Sequence, residues 1–258
     1  MASLAEQDAA AKAKVSAFVQ RSLVLLTDTP YGIRAEHPAS GLLLRLRSGR
    51  VAVLTAAHTL PEEAPVNLHG AENKLYEDAV VGVAMHPTDD VGLGLVRREL
   101  QAHLAGFAMD LDQVECSNVR RIEQRARLLA AGFPSQFTQN IPIADDRVEH
   151  RFTALLKYTA MHNHDHRRLS IDWREGYPID RAGPSPHKAL DVPAGSPVYL
   201  KKPSGLSGGP VFRVSVATTV EGFDPKTHCR LVGIAVEFKD QRQLAVPWWV
   251  WSDWLMGF

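Results

Sequence analysis

Cysteine is scarce, the charges cancel, and no long apolar run is present; each absence removes a class of protein. Only Cys116 and Cys229 occur in 258 residues, too few for a disulfide framework, and spacing alone does not say whether they pair. Free thiols are the expected state. Lys plus Arg is 29 and Asp plus Glu is 29, a net charge of zero, so no global basic field exists to hold nucleic-acid phosphates. No stretch approaches the roughly 18 apolar residues that a membrane-spanning helix requires. Glu6 and Asp8 stand where a secretory signal carries positive charge. The expectation is a cytoplasmic protein with neither nucleic acid nor membrane as partner. Internal repeats and low-complexity tracts are also missing.

Hydrophobic residues make up 45% and charged residues 22%, as in folded globular domains rather than disordered chains. The Ala-rich start, residues 1–21, carries Leu4, Val15, Phe18 and Val19 in a loosely amphipathic helical pattern. Beyond it the period changes. Leu42, Leu44 and Leu46 alternate with Leu43, Arg45 and Arg47, Ser48-Gly49 supplies a turn, and Val51, Val53 and Thr55 continue the alternation. That is a β-hairpin. Further strand-like runs are 79–84, 91–96, 126–131, 152–159, 169–173, 198–201, 211–218 and 231–238, with Gly and Pro mostly between them. Many short strands and little helix predict an all-β sandwich or barrel. Residues 99–124 and the five-proline stretch 177–197 read as connectors. From Pro247 the sequence runs Trp-Trp-Val-Trp-Ser-Asp-Trp-Leu-Met, large apolar residues at helical spacing that predict a C-terminal helix packed on the core.

Three stretches carry chemistry, in chain order: Leu54-Thr55-Ala56-Ala57-His58, Asp89-Asp90-Val91-Gly92-Leu93 and Gly205-Leu206-Ser207-Gly208-Gly209-Pro210. Together they offer a hydroxyl nucleophile, an imidazole that can take its proton and a carboxylate to orient the imidazole. With these residues in this order the chain resembles the trypsin-like (chymotrypsin-fold) serine peptidases of bacterial type. The resemblance implies two antiparallel β-barrels: residues 22–120 with His58 and Asp90, and residues 121–246 with Ser207. A helical extension (1–21) and a C-terminal helix (247–258) would flank them. It implies a serine endopeptidase in which Ser207 attacks the carbonyl, His58 is general base and then acid, and Asp90 orients His58. Gly205 and Ser207 would donate backbone N–H groups to the oxyanion, and no cofactor or metal is required. Asp89 is the rival carboxylate, but Asp90 adjoins the strand and fits the family pattern better. Ala130-Ala131-Gly132-Phe133-Pro134 resembles the opening of the second barrel in such proteins. The interval of 207 − 90 = 117 residues leaves room for inserted material at 139–197.

Departures from the family pattern matter as well. Leu206 stands where many members carry an Asp that pairs with a processed N-terminus, so activation by such cleavage is not expected. After Leu231-Val232-Gly233-Ile234 the family commonly continues Val-Ser-Trp-Gly, whereas this chain reads Ala235-Val236-Glu237-Phe238, without the hydroxyl that supports the Asp. Gly233, Val236 and Glu237 are candidate substrate contacts on that strand. Lys201, six positions before the nucleophile, is the candidate pocket-base residue. A protein of another class also fits: a catalytically silent or partner-activated module that uses the cleft to bind a peptide or a partner protein.

Competing motifs fare worse. Gly205-x-Ser207-x-Gly209 fits a hydrolase nucleophile elbow, yet a strand-like run follows it where an elbow requires a helix. His162-x-His164-x-His166 could suggest zinc, but the interleaved Asn163 and Asp165 read as a hairpin turn. Gly92-Leu93-Gly94 lacks the third glycine of a dinucleotide site.

Overall fold

The computed structural model describes residues 4–27, 38–61, 66–70, 74–116, 122, 127–135, 138–144, 147–152, 155–160, 163–165, 167–172, 177–178, 197–198, 204–215, 222–239 and 242–258. Helix α1 (Leu4–Ser22) leads directly into β1 (Leu23–Thr27) of the first sheet. That sheet continues with β2 (Ala39–Arg45), β3 (Val51–Thr55), β4 (Val66–His69), β5 (Leu75–Met85) and β6 (Gly92–Val96). After α2 (Arg98–Leu104) a short β7 (Met109–Asp110) adds in parallel to β2. The order β1-β4-β5-β6-β3-β2 is closed by a β1–β2 pairing, which makes a six-stranded barrel.

The second sheet begins at β8 (Arg127–Gly132). The hairpin β9 (Thr138–Ala144) and β10 (Arg147–Phe152) stands apart, followed by β11 (Leu155–Ala160), β12 (Asn163–His164) and β13 (Leu169–Asp172). The short β14 (Tyr177–Pro178) and β15 (Pro197–Val198) pair with each other. Then come β16 (Pro210–Val214), α3 (Pro225–His228), β17 (Cys229–Lys239), β18 (Arg242–Pro247) and α4 (Trp248–Leu255). Strands β11-β8-β16-β17-β18-β13-β12 form a curled, half-barrel sheet. The expected all-β double barrel is therefore the fold, with the first barrel closed and the second curled over the described residues.

The hairpin β2–β3 shows why the first barrel needs apolar residues on both faces of its strands. Successive side chains point to opposite faces. Leu43, Val51 and Val53 enter the barrel's own core with Val24, Leu26, Leu68 and Val80. Leu42, Leu44, Ala52 and Leu54 join a second core with Phe133, Leu206, Val211, Phe212 and Ile234 of the other sheet. These two strands thus serve one barrel's interior and the interface between both. Gly49, with φ +78, makes the turn between them.

Strands β1, β4, β9, β18, most of β10 and the two-residue β7, β12 and β14 escaped the sequence pattern; the segment read as a connector at 99–124 contains most of α2, and the one at 177–197 contains β14. Strand β1 follows α1 with no punctuating residue, so its five buried residues look like a continuation of the helix. Both terminal helices pack as expected: Val15 and Val19 of α1, and Trp248, Trp251 and Leu255 of α4, are buried in the larger core. Cys116 and Cys229 are free thiols, one exposed and one buried. Burial, with a contribution from the Asp224 charge, pushes the Cys229 thiol up to about 12, which leaves it inert as a nucleophile.

The Trp251 ring is fully buried and its Nε1 donates to Val246 O at 3.0 Å, fastening α4 to β18. Replacing a buried ring of this size by Ala costs about 3–5 kcal/mol. Trp251→Ala is expected to lower the unfolding free energy by that amount in a urea titration followed by far-UV circular dichroism.

Candidate active site

His58 lies on a single 3-10 turn, Ala57–Thr59, immediately after β3. The turn is locked by Thr59, whose Oγ1 donates to Ala56 O at 2.7 Å and also lies 2.9 Å from Thr55 Oγ1. Asp90 precedes β6. Gly92 is what allows the two to meet: a Cβ there would come within 3.0 Å of the Ala57 Cα and 2.9 Å of the Leu60 side chain. With glycine in place, the Asp90 carboxylate accepts twice from one residue, from His58 Nδ1 at 2.6 Å and from the His58 backbone N–H at 2.9 Å.

These bonds perturb both groups. The hydrogen bond to Asp90 raises the His58 imidazole above its ordinary 6.5; partial burial opposes this, and the carboxylate's charge adds to it. Partial burial pushes Asp90 up, but the side-chain and backbone bonds from His58, its charge and a backbone bond from Ala57 carry the carboxyl below its ordinary 3.8. Main-chain N–H groups therefore support Asp90. The neighbouring Asp89 carboxylate is turned elsewhere: it is buried, accepts from Thr88 Oγ1 at 2.9 Å and lies within 4 Å of His86 and Arg168.

Ser207 sits on the loop between the masses of the two sheets, and every glycine around it meets backbone. A Cβ at Gly205 would overlap Phe133 O, one at Gly208 would overlap Thr55 Oγ1 and Ser40 O, and one at Gly209 would overlap Ala131 O. Gly205 and Gly208 also hold φ values of +93 and +83, which L side chains rarely adopt. Leu206 points into the core beside Gly132, so apolar burial helps to fix the loop. His58 and Ser207 line one cleft of about 440 Å³, together with Leu26, Pro38, Ala39 and Val66. They are not hydrogen-bonded to each other: the Ser207 hydroxyl donates instead to Val236 O, at a long 3.4 Å.

The N–H groups of Gly205 and Ser207 find no acceptor among the described residues, as an oxyanion site requires. Of the expected substrate contacts, Val236 and Glu237 border a second hollow beside Ser207, of about 10 Å³, with Phe238 and Gln243. It has room for about one water. Gly233 lies mid-strand, paired with Val211 and Pro247 and not lining either hollow. Lys201 lies outside the described residues, as do His162 and His166. Asp165 accepts from the backbone of Arg167 and Arg168 at 2.7 Å, the hairpin turn expected there. Among the described residues no group of three His, Cys, Asp or Glu could hold a metal. Sequence reasoning missed Ser40 and Ser135, whose hydrogen bonds to Ser204, Gly205 and Ser207 shape the loop; a lone serine near a strand end carries no signal of its own.

No family model matches the chain, and no curated protein does. Solved structures do. The Rv3671c protease from M. tuberculosis, in its active form, aligns over 95% of this chain and 84% of its own, with a TM-score of 0.49 and 15% identity. The serine endoprotease from Yersinia pestis aligns over 95% of this chain at a TM-score of 0.53 and 12% identity. This chain covers 66% of the Yersinia protein's length. The likeness shows the fold, the double β-barrel of trypsin-like serine proteases.

The His58–Asp90 pair makes a direct prediction. In an NMR titration, the His58 ring midpoint is expected above 6.5 and to fall in Asp90→Asn, since the bond that favours the imidazolium is weakened. Its stabilising contribution is complete below the unfolded value and is lost as pH rises through the folded one. An unchanged midpoint in Asp90→Asn would contradict the pairing.

Proposed function

We propose that the chain is a serine endopeptidase that hydrolyses peptide bonds through Ser207, His58 and Asp90. The observation that carries this reading is the 2.6 Å bond from His58 Nδ1 to Asp90, on a turn that shares a cleft with Ser207. With Nδ1–H committed to Asp90, neutral His58 carries its lone pair on Nε2. That nitrogen takes the Ser207 proton as Oγ bonds to the substrate carbonyl carbon. The carbonyl oxygen becomes an oxyanion, and the unpaired N–H groups of Gly205 and Ser207 receive it. One such donor is worth roughly 10² to 10³ in turnover. Collapse of the tetrahedral intermediate breaks the C–N bond, and the imidazolium returns the proton to the leaving amine. Water repeats the sequence to free the acyl group from Ser207.

The substrate is a peptide or protein. Leu26, Pro38, Ala39 and Val66 give the larger cleft an apolar lining, which suits an apolar side chain next to the scissile bond. Glu237, exposed at the edge of the small hollow, adds negative charge at its rim. Among the described residues no helix is long and apolar enough to cross a membrane.

One observation favours a second reading, a silent or partner-activated module that binds peptides or a partner protein: the Ser207 hydroxyl contacts Val236 O rather than the imidazole. Catalytic hydrogen bonds in unliganded enzymes are often long or misaligned and tighten with substrate, so this contact is compatible with either. Intact-mass spectrometry after fluorophosphonate treatment separates them. The expected result is one adduct per chain on Ser207, absent in Ser207→Ala and His58→Ala. Folded wild type that takes no adduct would favour the binding module.

A further inference from the structure

We infer that Ser40, on the first barrel, is the positioning residue that holds the oxyanion-donor loop of the second barrel in working shape; the inference rests on the peptidase reading above. Ser40 is the second residue of β2 and is fully buried. All of its polar atoms are engaged. Its N–H donates to Ser207 O at 2.8 Å, and its Oγ donates to Gly205 O at 2.6 Å. The same Oγ accepts from Phe133 N–H at 2.8 Å, and Ser40 O accepts from Thr55 Oγ1 at 2.7 Å.

The consequence follows from the planarity of the trans peptide, in which C=O and N–H point in opposite directions. Fixing a carbonyl therefore fixes the aim of the N–H that follows it. Four successive carbonyls on this loop are fixed. Ser204 O accepts from Ser135 N–H at 2.7 Å, Gly205 O from Ser40 Oγ, Leu206 O from Gly209 N–H at 3.0 Å, and Ser207 O from Ser40 N–H. Over the same stretch the N–H groups of Gly205, Leu206 and Ser207 have no acceptor among the described residues. Successive free N–H groups on a loop with anchored carbonyls form an anion-binding concavity.

Ser40 supplies two of the four anchors, and its hydroxyl holds the one peptide, Gly205–Leu206, that lies between the two donor peptides. At that point the chain is weakest. Gly205 has no Cβ to restrict rotation and sits at φ +93. Without the hydroxyl, Gly205 O would lose its donor, and rotation of the Gly205–Leu206 peptide is the simplest relief. Such a rotation moves the Gly205 and Ser207 donors relative to each other while leaving His58 and Asp90 alone, because that pair belongs wholly to the first barrel.

The test is the inactivation kinetics of full-length protein with a fluorophosphonate, separated into a saturating rate and a half-saturating concentration. Wild type is compared with Ser40→Ala, with the near-isosteric Ser40→Cys, which keeps the volume but is a poor donor, and with Ser207→Ala as the blank. Both Ser40 variants are expected to lose about 10–100-fold in saturating rate, short of the loss of a whole oxyanion donor. The half-saturating concentration should stay within about threefold and the His58 NMR titration should be unchanged. Equal saturating rates in wild type and the folded Ser40→Cys protein would overturn the role of Ser40 alone. A shift in half-saturation and in the His58 titration as large as the rate loss would also overturn it, since general loosening of the barrel interface would then explain the effect. Folded wild type that takes no adduct at all would overturn the peptidase reading and this inference with it.

Discussion

The loop that carries Ser207 belongs to one barrel and is held by a strand of the other, and the geometry of the site depends on that contact. Ser40 and Thr55 of the first barrel press against Gly208 so closely that no Cβ fits there. The hydrogen bonds across the contact run from Ser40 to Ser207 and Gly205. Buried polar groups are stabilising only when all of them are paired. Ser40 meets that condition with every atom it has, so displacing the two barrels would strand several groups at once. Of the glycines in the Gly205-Leu206-Ser207-Gly208-Gly209 run, Gly208 answers to this contact, while Gly205 and Gly209 leave room for Phe133 O and Ala131 O of their own barrel.

The labour of the site is divided along this boundary. His58 and Asp90 sit on a turn after β3 and a loop before β6, adjacent strands of the closed barrel, so their 2.6 Å bond and its effect on the imidazole need nothing from the second sheet. Ser207 and the loop N–H groups beside it come from the second sheet. What joins the halves is mostly apolar: the outward faces of β2 and β3 with Phe133, Leu206, Val211 and Phe212. Leu206 belongs to both descriptions, because its side chain lies in this interface while its carbonyl, held by Gly209 N–H, sets the Ser207 N–H. Apolar burial of its side chain and the bond to its carbonyl thus fix the loop together.

Much of this was legible in the sequence because it depends on local pattern. The alternation at 42–55 marked a hairpin, and the three motifs marked the turn, the carboxylate and the glycine-pinched loop. Asp90 directly adjoins the strand-like run at 91–96, and the structure brings it, rather than Asp89, to His58. Strands β1 and β18 were not legible: one continues a helix without a break, and the other begins with the polar residues Arg242 and Gln243. Ser40 and Ser135 were invisible for another reason. Their importance lies in partners 165 and 69 residues away in sequence, and nothing at a single serine states which distant carbonyl it will meet.

The position of the Ser207 hydroxyl is consistent with this division. At 3.4 Å its bond to Val236 O is longer than a good hydroxyl bond, so little free energy holds it there. The loop backbone, by contrast, is anchored at four carbonyls. The side chain is therefore the one soft element in a stiff surrounding, and a single rotation about its Cα–Cβ bond changes the acceptor without moving a donor. On the peptidase reading Oγ turns towards His58, whose Nε2 lone pair is already selected by the Nδ1–H bond to Asp90. The costly part of the geometry, the aim of backbone N–H groups that cannot rotate freely, is settled by folding before a substrate arrives.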